Sequence, residues 1–385
     1  MLMRAVASEE GDRVTTLELF FDLAFVFAFT QLSRLMAQQH NAIGVLQALV
    51  ILTLLWWTWT AYGWLSNLAH ADEGIVRIVM IIGMSATFVV GVVVLEAYED
   101  LPGGLFAPMV FISAYLIARL THASAFVWLS EPGLRRRTLV TVGLSLVPSG
   151  ALLTTGAFLG APLQVSFWLA AVAIEPLASY RASMGVDWSV RSTAHFTERH
   201  GLIVILALGE SVLAIGFAVA TEPISMAILA GTVLSILISV AMWWAYFSRL
   251  ARNAEHALAN HHGGDRARVA TDGYTYLHLF LVAGIVVAAL GVEVAMAHIS
   301  GPDEFGVFGA AALGGGVACY LVGTGLFARR VIGHWEIRRL GAATLLTLAV
   351  PLLAVLPPLA ALAAVGTGLI SLLVIEFPTQ HDHEQ

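Results

Sequence analysis

The chain has 385 residues, of which 58% are hydrophobic and 12% charged, with a formal net charge of −7. Soluble domains carry about 25% charged residues, so this composition excludes an ordinary soluble protein and indicates lipid as the solvent. All 19 basic residues are arginine, which excludes sites that need a lysine, such as a phosphate-binding P-loop or a Schiff base to pyridoxal phosphate. The single cysteine, Cys319, excludes an intrachain disulfide.

Apolar stretches long enough to cross a membrane recur along the whole chain. About 17–25 apolar residues in a helix cross the hydrocarbon core, and a helix satisfies its backbone hydrogen bonds internally. The runs are too long and too continuously apolar for barrel strands. The sequence therefore predicts an all-α polytopic membrane bundle of about twelve spans. The predicted spans are 17–35, 42–63, 75–97, 105–129, 138–158, 163–183, 200–220, 225–247, 273–297, 305–327, 340–356 and 358–377.

The placement of arginine predicts the orientation of the spans, because cytoplasmic loops are enriched in basic residues. If the N-terminus is cytoplasmic, the inner segments and the inner ends of the spans hold 17 arginines and the outer loops hold none, while Arg34 and Arg119 lie elsewhere within spans. We therefore predict that both termini are cytoplasmic. The start of the chain is polar and does not have the form of a signal peptide, so the first span is expected to be retained.

The order of several features repeats between the two halves of the chain. Arg135 lies thirteen residues before Pro148, and Arg338 lies thirteen residues before Pro351. The shared order predicts two parallel six-helix repeats, because an even number of spans gives both halves the same orientation. The predicted segments are a first half 1–184, a cytoplasmic linker 185–194, a second half 195–378 and a polar cytoplasmic tail 379–385.

The first span carries three polar side chains, Glu18, Asp22 and Gln31. Ionisable groups at membrane depth are costly and usually face a partner or a cavity. Glu18 and Asp22 are four residues apart and share a helix face. Glu18 lies at the start of the span, where the headgroup layer would accommodate it. Asp22 is one turn deeper, so we predict a paired or functional role for it.

The fourth span carries Arg119 near its middle, with His122 on the same helical stripe. A guanidinium at this depth requires a carboxylate or a water-filled cavity. Asp22 and Glu175 are the candidate partners. A structural ion pair and a functional site are both open interpretations.

The second half has its own polar residues in and near spans. Glu198 belongs to the polar segment 195–200, predicted at the inner surface, and Glu210 follows near the middle of span seven. Glu210 is the deepest carboxylate, which suits either a proton-coupled carrier or a hydrogen bond that sets helix register. Tyr274 and His278 are four residues apart on one face of span nine.

Other polar and aromatic clusters favour ordinary explanations. The tryptophans are predicted to form an aromatic belt at the membrane interface. The histidine-containing loop within 248–272 and the tail lack a recognised metal-ligand spacing, and no nucleophile elbow is present. We therefore predict no metal, no cofactor, no catalytic residue and no nucleic-acid partner. The tryptophans concerned are Trp56, Trp57, Trp59, Trp64, Trp243 and Trp244.

Three polar motifs in order resemble the bacterial low-temperature-requirement A (LtrA) family of integral membrane proteins. The motifs lie in 18–32, 195–211 and 272–293. Ala24 and Arg34 depart from the valine and histidine expected there. The resemblance implies a protein of the bacterial cytoplasmic membrane linked to growth in the cold, and it implies no settled biochemical activity. The residues that match the family pattern are Glu18, Asp22, Gln31, Glu198, Gly209, Glu210, Tyr274 and His278.

These features favour a secondary transporter of an unknown small solute, with proton coupling as an option. The alternatives are a membrane-embedded lipid-handling protein or enzyme, and an ion channel. Enzyme activity is disfavoured because no metal triad or nucleophile is recognisable. The expected partners are the lipid bilayer and an unknown small molecule or ion. The predicted substrate or proton site consists of Glu18, Asp22, Gln31, Arg119, His122, Glu175, Glu198, Glu210, Tyr274 and His278.

Overall fold

Regular structure in this protein is helical throughout the part of the chain that the computed structural model describes, residues 7–130, 132–183, 190–220, 222–301 and 303–376. An isolated bridge joins Ala7 to Ala69. A 3₁₀ turn, Val94–Glu96, follows α3, and a π-helix, Ala270–Leu277, joins α10 to α11. The helices are α1 Thr16–Gln39, α2 Ala42–Leu68, α3 Gly74–Val93, α4 Ala107–Leu129, α5 Arg135–Leu159, α6 Leu163–Ser183, α7 Thr193–Ala218, α8 Met226–Phe247, α9 Leu250–Asn260, α10 Gly263–Val269, α11 His278–Ala297, α12 Gly306–Val331, α13 Ile337–Val355 and α14 Pro358–Glu376.

Twelve helical stretches are long and apolar enough to cross a membrane. Each overlaps one of the predicted spans, so the all-α polytopic prediction is confirmed. Half of the predicted linker, residues 185–189, and the whole predicted tail lie outside the described residues. The two parallel repeats and the cytoplasmic termini stay predictions.

The predicted loop within 248–272 is helical, which corrects the sequence prediction. Helix α9 contains Leu250, Ala254 and Leu258, which are four residues apart and all buried. This spacing forms an apolar stripe along one helix face. The segment was predicted as a loop because it is rich in histidine and charged residues.

Helix α7 begins at Thr193, earlier than the predicted start of span seven at residue 200. The hydroxyl oxygen of Ser192 accepts a hydrogen bond from the backbone N–H of His195 at 3.1 Å. A serine in this position satisfies one of the free N–H groups of a helix N-terminus. The segment predicted at the inner surface, 195–200, therefore lies within the first turns of α7.

The described residues form two compact units. The first comprises those within Met1–Leu35, Ala42–Arg199 and His262–Ala267. In it α3 packs on α4, α4 on α5, and α5 on α6. Trp168 anchors this packing, because its ring stacks on Phe111 with centroids 5.1 Å apart and its indole N–H donates to the Leu153 carbonyl at 3.0 Å.

The second unit comprises Met36–Asn41, His200–His261 and the described residues of Arg268–Gln385. Helices α11 and α12 approach each other so closely that their backbones touch. A Cβ atom added at Gly284 would collide with the backbone nitrogen of Tyr320, and one added at Gly316 would collide with that of Ala288. Small residues at such contacts are typical of helix pairs in membranes.

Candidate functional site

Two capped helix N-termini bring acidic and basic side chains together in the first unit. At the start of α1, the backbone N–H of Thr15 donates to Glu18 Oε2 at 2.8 Å, and the backbone N–H of Glu18 donates to the Thr15 hydroxyl at 3.4 Å. This reciprocal pair is a capping box. The capping box holds the Glu18 side chain at the end of α1, while Ser192 fixes the start of α7.

Four ionisable side chains, together with Trp59, form one group that we call the ionisable cluster. The four are Glu18, Asp22, His195 and Arg199. His195 Nε2 lies 2.9 Å from Glu18 Oε1, and Arg199 Nη1 lies 2.8 Å from Asp22 Oδ2. Arg199 Nε is also 3.5 Å from Glu18 Oε1. The indole N–H of Trp59 donates to Asp22 Oδ1 at 2.9 Å. All five side chains are buried, and Glu18 and Arg199 are fully so.

The protonation of His195 follows from its neighbour Asn67. The Asn67 side-chain oxygen accepts from the backbone N–H of Arg191 at 2.8 Å, and its amide nitrogen donates to the Ser192 carbonyl at 2.7 Å. The same amide nitrogen lies 3.4 Å from His195 Nδ1, so its second N–H can donate there. This contact favours the tautomer that carries its proton on Nε2 and donates to Glu18.

The charges of the ionisable cluster depend on His195, and they do not balance when its ring is neutral. With His195 neutral, Arg199 faces two carboxylates, Glu18 and Asp22. The guanidinium of Arg199 also lies over the Trp59 ring, 5.3 Å from the centroid. A buried excess charge is costly, and one bound proton would remove it. Arg199 Nη2 is buried and has no hydrogen-bond partner among the described residues.

A second buried group in the first unit has equal positive and negative charge. Arg119 forms an ion pair with Glu175, in which Arg119 Nε donates to Glu175 Oε1 at 2.9 Å. Glu175 Oε2 accepts from the hydroxyls of Tyr115 at 2.6 Å and Ser149 at 3.3 Å. The prediction that Arg119 pairs with a carboxylate is confirmed, and of its two candidate partners Glu175 is the one observed. Asp22 instead binds Trp59 and Arg199.

The second unit contains a cluster of histidine and tyrosine rings at the π-helix. His278 Nδ1 lies 3.1 Å from the Gly273 carbonyl, and His278 Nε2 lies 2.8 Å from the Tyr246 hydroxyl. Because a carbonyl only accepts, His278 is assigned as neutral with its proton on Nδ1, and the Tyr246 hydroxyl donates to Nε2. Tyr274 stacks on His278 with centroids 5.0 Å apart, and the His200 ring meets Tyr274 edge-on. π-Helical turns occur frequently at functional sites.

The remaining predicted site residues have separate surroundings. Glu210 is fully buried, and Gln31 is also buried. His122 packs against the rings of Tyr62 and Phe126. His122 and Glu198 are only partly buried. The Glu198 side chain is 35% exposed and pairs with Arg13 at 3.7 Å.

Comparison with known proteins identifies the family of the chain. The family model described as bacterial low temperature requirement A protein (LtrA) matches residues 13–375. The chain belongs to the LtrA family. A relative, an uncharacterized protein of Rhizobium meliloti (strain 1021), is 31% identical over 338 residues, which cover 82% of this chain and 76% of the relative. No solved structure matches the chain.

The ionisable cluster of this LtrA-family chain includes residues that the sequence interpretation did not predict to be buried together. His195 and Arg199 were expected near the inner surface and Glu18 at the start of its span, and their burial among helices was not predicted. Trp59 was assigned to the aromatic belt, but it is buried and hydrogen-bonded to Asp22. Trp56 is likewise buried, whereas Trp243 and Trp244 are exposed as expected of a belt.

The family-like motifs account for much of this geometry. Glu18 and Asp22 come from the first motif, and His195 and Arg199 from the second. Tyr274 and His278, from the third motif, stack on each other in the second unit. Among the described residues, no group of three histidine, cysteine, aspartate or glutamate side chains is arranged to hold a metal ion.

Proposed function

We propose that this LtrA-family protein is a secondary transporter of a small solute and that the ionisable cluster carries a coupling proton. The observation that carries the proposal is the fully buried pairing of one arginine with two carboxylates. A group with only a structural role would be expected to balance its charges, as Arg119 and Glu175 do in the same unit. An imbalance of one charge favours reversible binding of one proton, which is the property that a proton-coupled carrier needs.

Asp22 is the carboxylate that we expect to take up the proton. Glu18 accepts hydrogen bonds from His195 and from both the backbone and the hydroxyl of Thr15. Asp22 has fewer donors, Trp59 and Arg199. Hydrogen bonds to the charged form of a carboxylate stabilise that form. Asp22, the carboxylate with fewer hydrogen-bond donors, is therefore the easier one to protonate.

Protonation of Asp22 would change the pairing of Arg199. The bond between Arg199 Nη1 and Asp22 Oδ2 would weaken, while Arg199 Nε lies within 3.5 Å of Glu18 Oε1. Arg199 would then pair with Glu18 alone. Because Arg199 belongs to α7 and Asp22 to α1, the proton would alter the attachment of one helix to another. Such a difference between two states is what allows a bound proton to shift a conformational equilibrium.

The cluster lies close to the helix ends, which suits proton access. Glu18 is in the first turn of α1, and His195 is in the first turn of α7. Asp22 and Arg199 are each four residues further along. A proton would thus have a short path from the end of the helices to Asp22. Gln31, Glu210, Tyr274 and His278 remain proposed as further parts of the transport pathway.

Transport by purified full-length protein in liposomes tests the proposal. Amino acids, organic acids, sugars and inorganic cations would be added outside liposomes that enclose a pH indicator. We expect one class to cause proton movement that empty liposomes do not show, and we expect an imposed proton gradient to drive uptake of that class. Uptake of a solute at a rate independent of the gradient would contradict proton coupling, and absence of uptake of every class would contradict transport of these solutes.

A further inference from the structure

A polar cavity of about 600 Å³ lies in the second unit, and neither Tyr246, Tyr274 nor His278 lines it. It is formed where α8 and α14 end, where α9 and α13 begin, and by the turn that follows α12. The volume falls in the range of about 300–1,000 Å³ that is usual for small-molecule sites. The charged residues lining it are Arg249, Arg252, Glu336, Arg338, Arg339 and Glu376.

The lining of this cavity has an excess of positive charge. Four arginines face two glutamates, so the surplus is two positive charges when His334, which also lines the cavity, is neutral. Arg249 and Arg252 are exposed and form no ion pair with any carboxylate in the described ranges. Glu336 lies 2.9 Å from His334 Nε2. The two free guanidinium groups are therefore available to an anion.

Arg339 also lines the cavity, and it has one buried donor without a partner. Its Nε and Nη2 bind the two carboxylate oxygens of Glu376 at 2.9 and 3.0 Å, which fixes the plane of the guanidinium. Arg339 is only 5% exposed, and its Nη1 has no hydrogen-bond partner among the described residues. Buried N–H groups almost always have an acceptor. Because this nitrogen is closed to solvent in the present conformation, a ligand oxygen would reach it only after a small movement of neighbouring side chains.

We propose that this cavity binds a phosphate group. Guanidinium groups recognise phosphate through paired N–H···O bonds, and a phosphate offers several oxygens to several arginines at once. A phosphate monoester carries about −1.5 to −2 charges at neutral pH, which matches the surplus of two, and the diester phosphate of a lipid headgroup carries one negative charge, which the same surplus attracts. The cavity is larger than a bare phosphate requires, so the phosphate could be free or belong to a lipid headgroup. Basic pockets at the ends of membrane helices bind such headgroups.

Stabilisation of the full-length protein by two probes tests this proposal and distinguishes the two sources. Thermal unfolding would be followed in detergent with increasing inorganic phosphate, and in nanodiscs of phosphatidylcholine with and without phosphatidylglycerol. A ligand that binds only the folded state raises the unfolding temperature. A rise with inorganic phosphate indicates a site for free phosphate, and a rise with phosphatidylglycerol alone indicates a site for a lipid headgroup. If neither probe raises the unfolding temperature, the proposal is wrong.

A matched pair of double variants separates the cavity from general charge attraction. Arg249→Gln with Arg252→Gln removes two exposed arginines of the cavity, and we expect the affinity for the effective probe to fall about tenfold or more. Arg136→Gln with Arg137→Gln removes two exposed arginines of the first unit and changes the net charge equally. This control should retain the native affinity. An equal loss in both double variants, or no loss in either, would overturn the assignment of the phosphate to this cavity.

Discussion

Asp22→Asn should abolish proton-coupled transport while leaving the protein folded. In the native cluster Arg199 faces two carboxylates. A proton on Asp22 leaves one carboxylate to match the one positive charge of Arg199. The amide cannot ionise, so the variant leaves Arg199 paired with Glu18 in a neutral cluster that no longer needs the proton. The side chain keeps its shape and an acceptor oxygen for the Trp59 N–H.

The expected loss is on the order of 100-fold or more in solute-driven proton movement, since positioned proton-transfer groups contribute effects of about that size. Glu99→Gln is the matched control, because Glu99 is an exposed carboxylate of the same unit. It should keep the native rate. Both variants should elute as monodisperse protein at normal abundance. Native proton movement in Asp22→Asn would show that Asp22 does not carry the coupling proton.

Glu175→Gln should destabilise the folded protein strongly. Glu175 is buried and binds Arg119, Tyr115 and Ser149. The amide retains an acceptor for one hydroxyl but leaves the Arg119 guanidinium buried without a counter-charge. Removing one partner of a buried ion pair costs about 3–5 kcal/mol in the free energy of unfolding. Denaturant unfolding of the purified protein in detergent would measure this loss.

The exposed pair between Arg13 and Glu198 provides the comparison. The two side chains are 71% and 35% exposed, and a pair of this kind contributes at most about 1 kcal/mol because water screens it. Glu198→Gln should therefore lower the free energy of unfolding by about 1 kcal/mol or less. Equal losses in Glu175→Gln and Glu198→Gln would contradict a stabilising role for the buried pair.

The spans and the pairing of Arg119 could be predicted from the sequence for simple physical reasons. Long apolar runs have few alternatives to membrane helices. A guanidinium in mid-span must have a partner, and Glu175 was one of two candidates. The choice between Asp22 and Glu175 could not be predicted, because it depends on which helices are neighbours.

The burial of His195 and Arg199 was not predicted, because residues near a span end were expected to face the cytoplasm. The sequence did contain a signal for the true helix start, since Ser192 is a favoured cap residue directly before Thr193. Thr15 and Glu18 likewise have the spacing of a capping box, which predicts a fixed Glu18 side chain. Neither signal shows that α1 and α7 bring their first turns together. The π-helix before His278 has no comparable sequence rule.

The most direct test of the proposed proton site is infrared difference spectroscopy of the purified protein between alkaline and acidic buffer. A carboxylic acid gives a C=O stretching band that a carboxylate lacks. We predict that acidification of the native protein produces a band from a buried carboxylic acid, that Glu99→Gln retains it, and that Asp22→Asn loses it. A band that persists unchanged in Asp22→Asn, or a native protein without any band from a buried acid, would contradict the claim that Asp22 binds the proton.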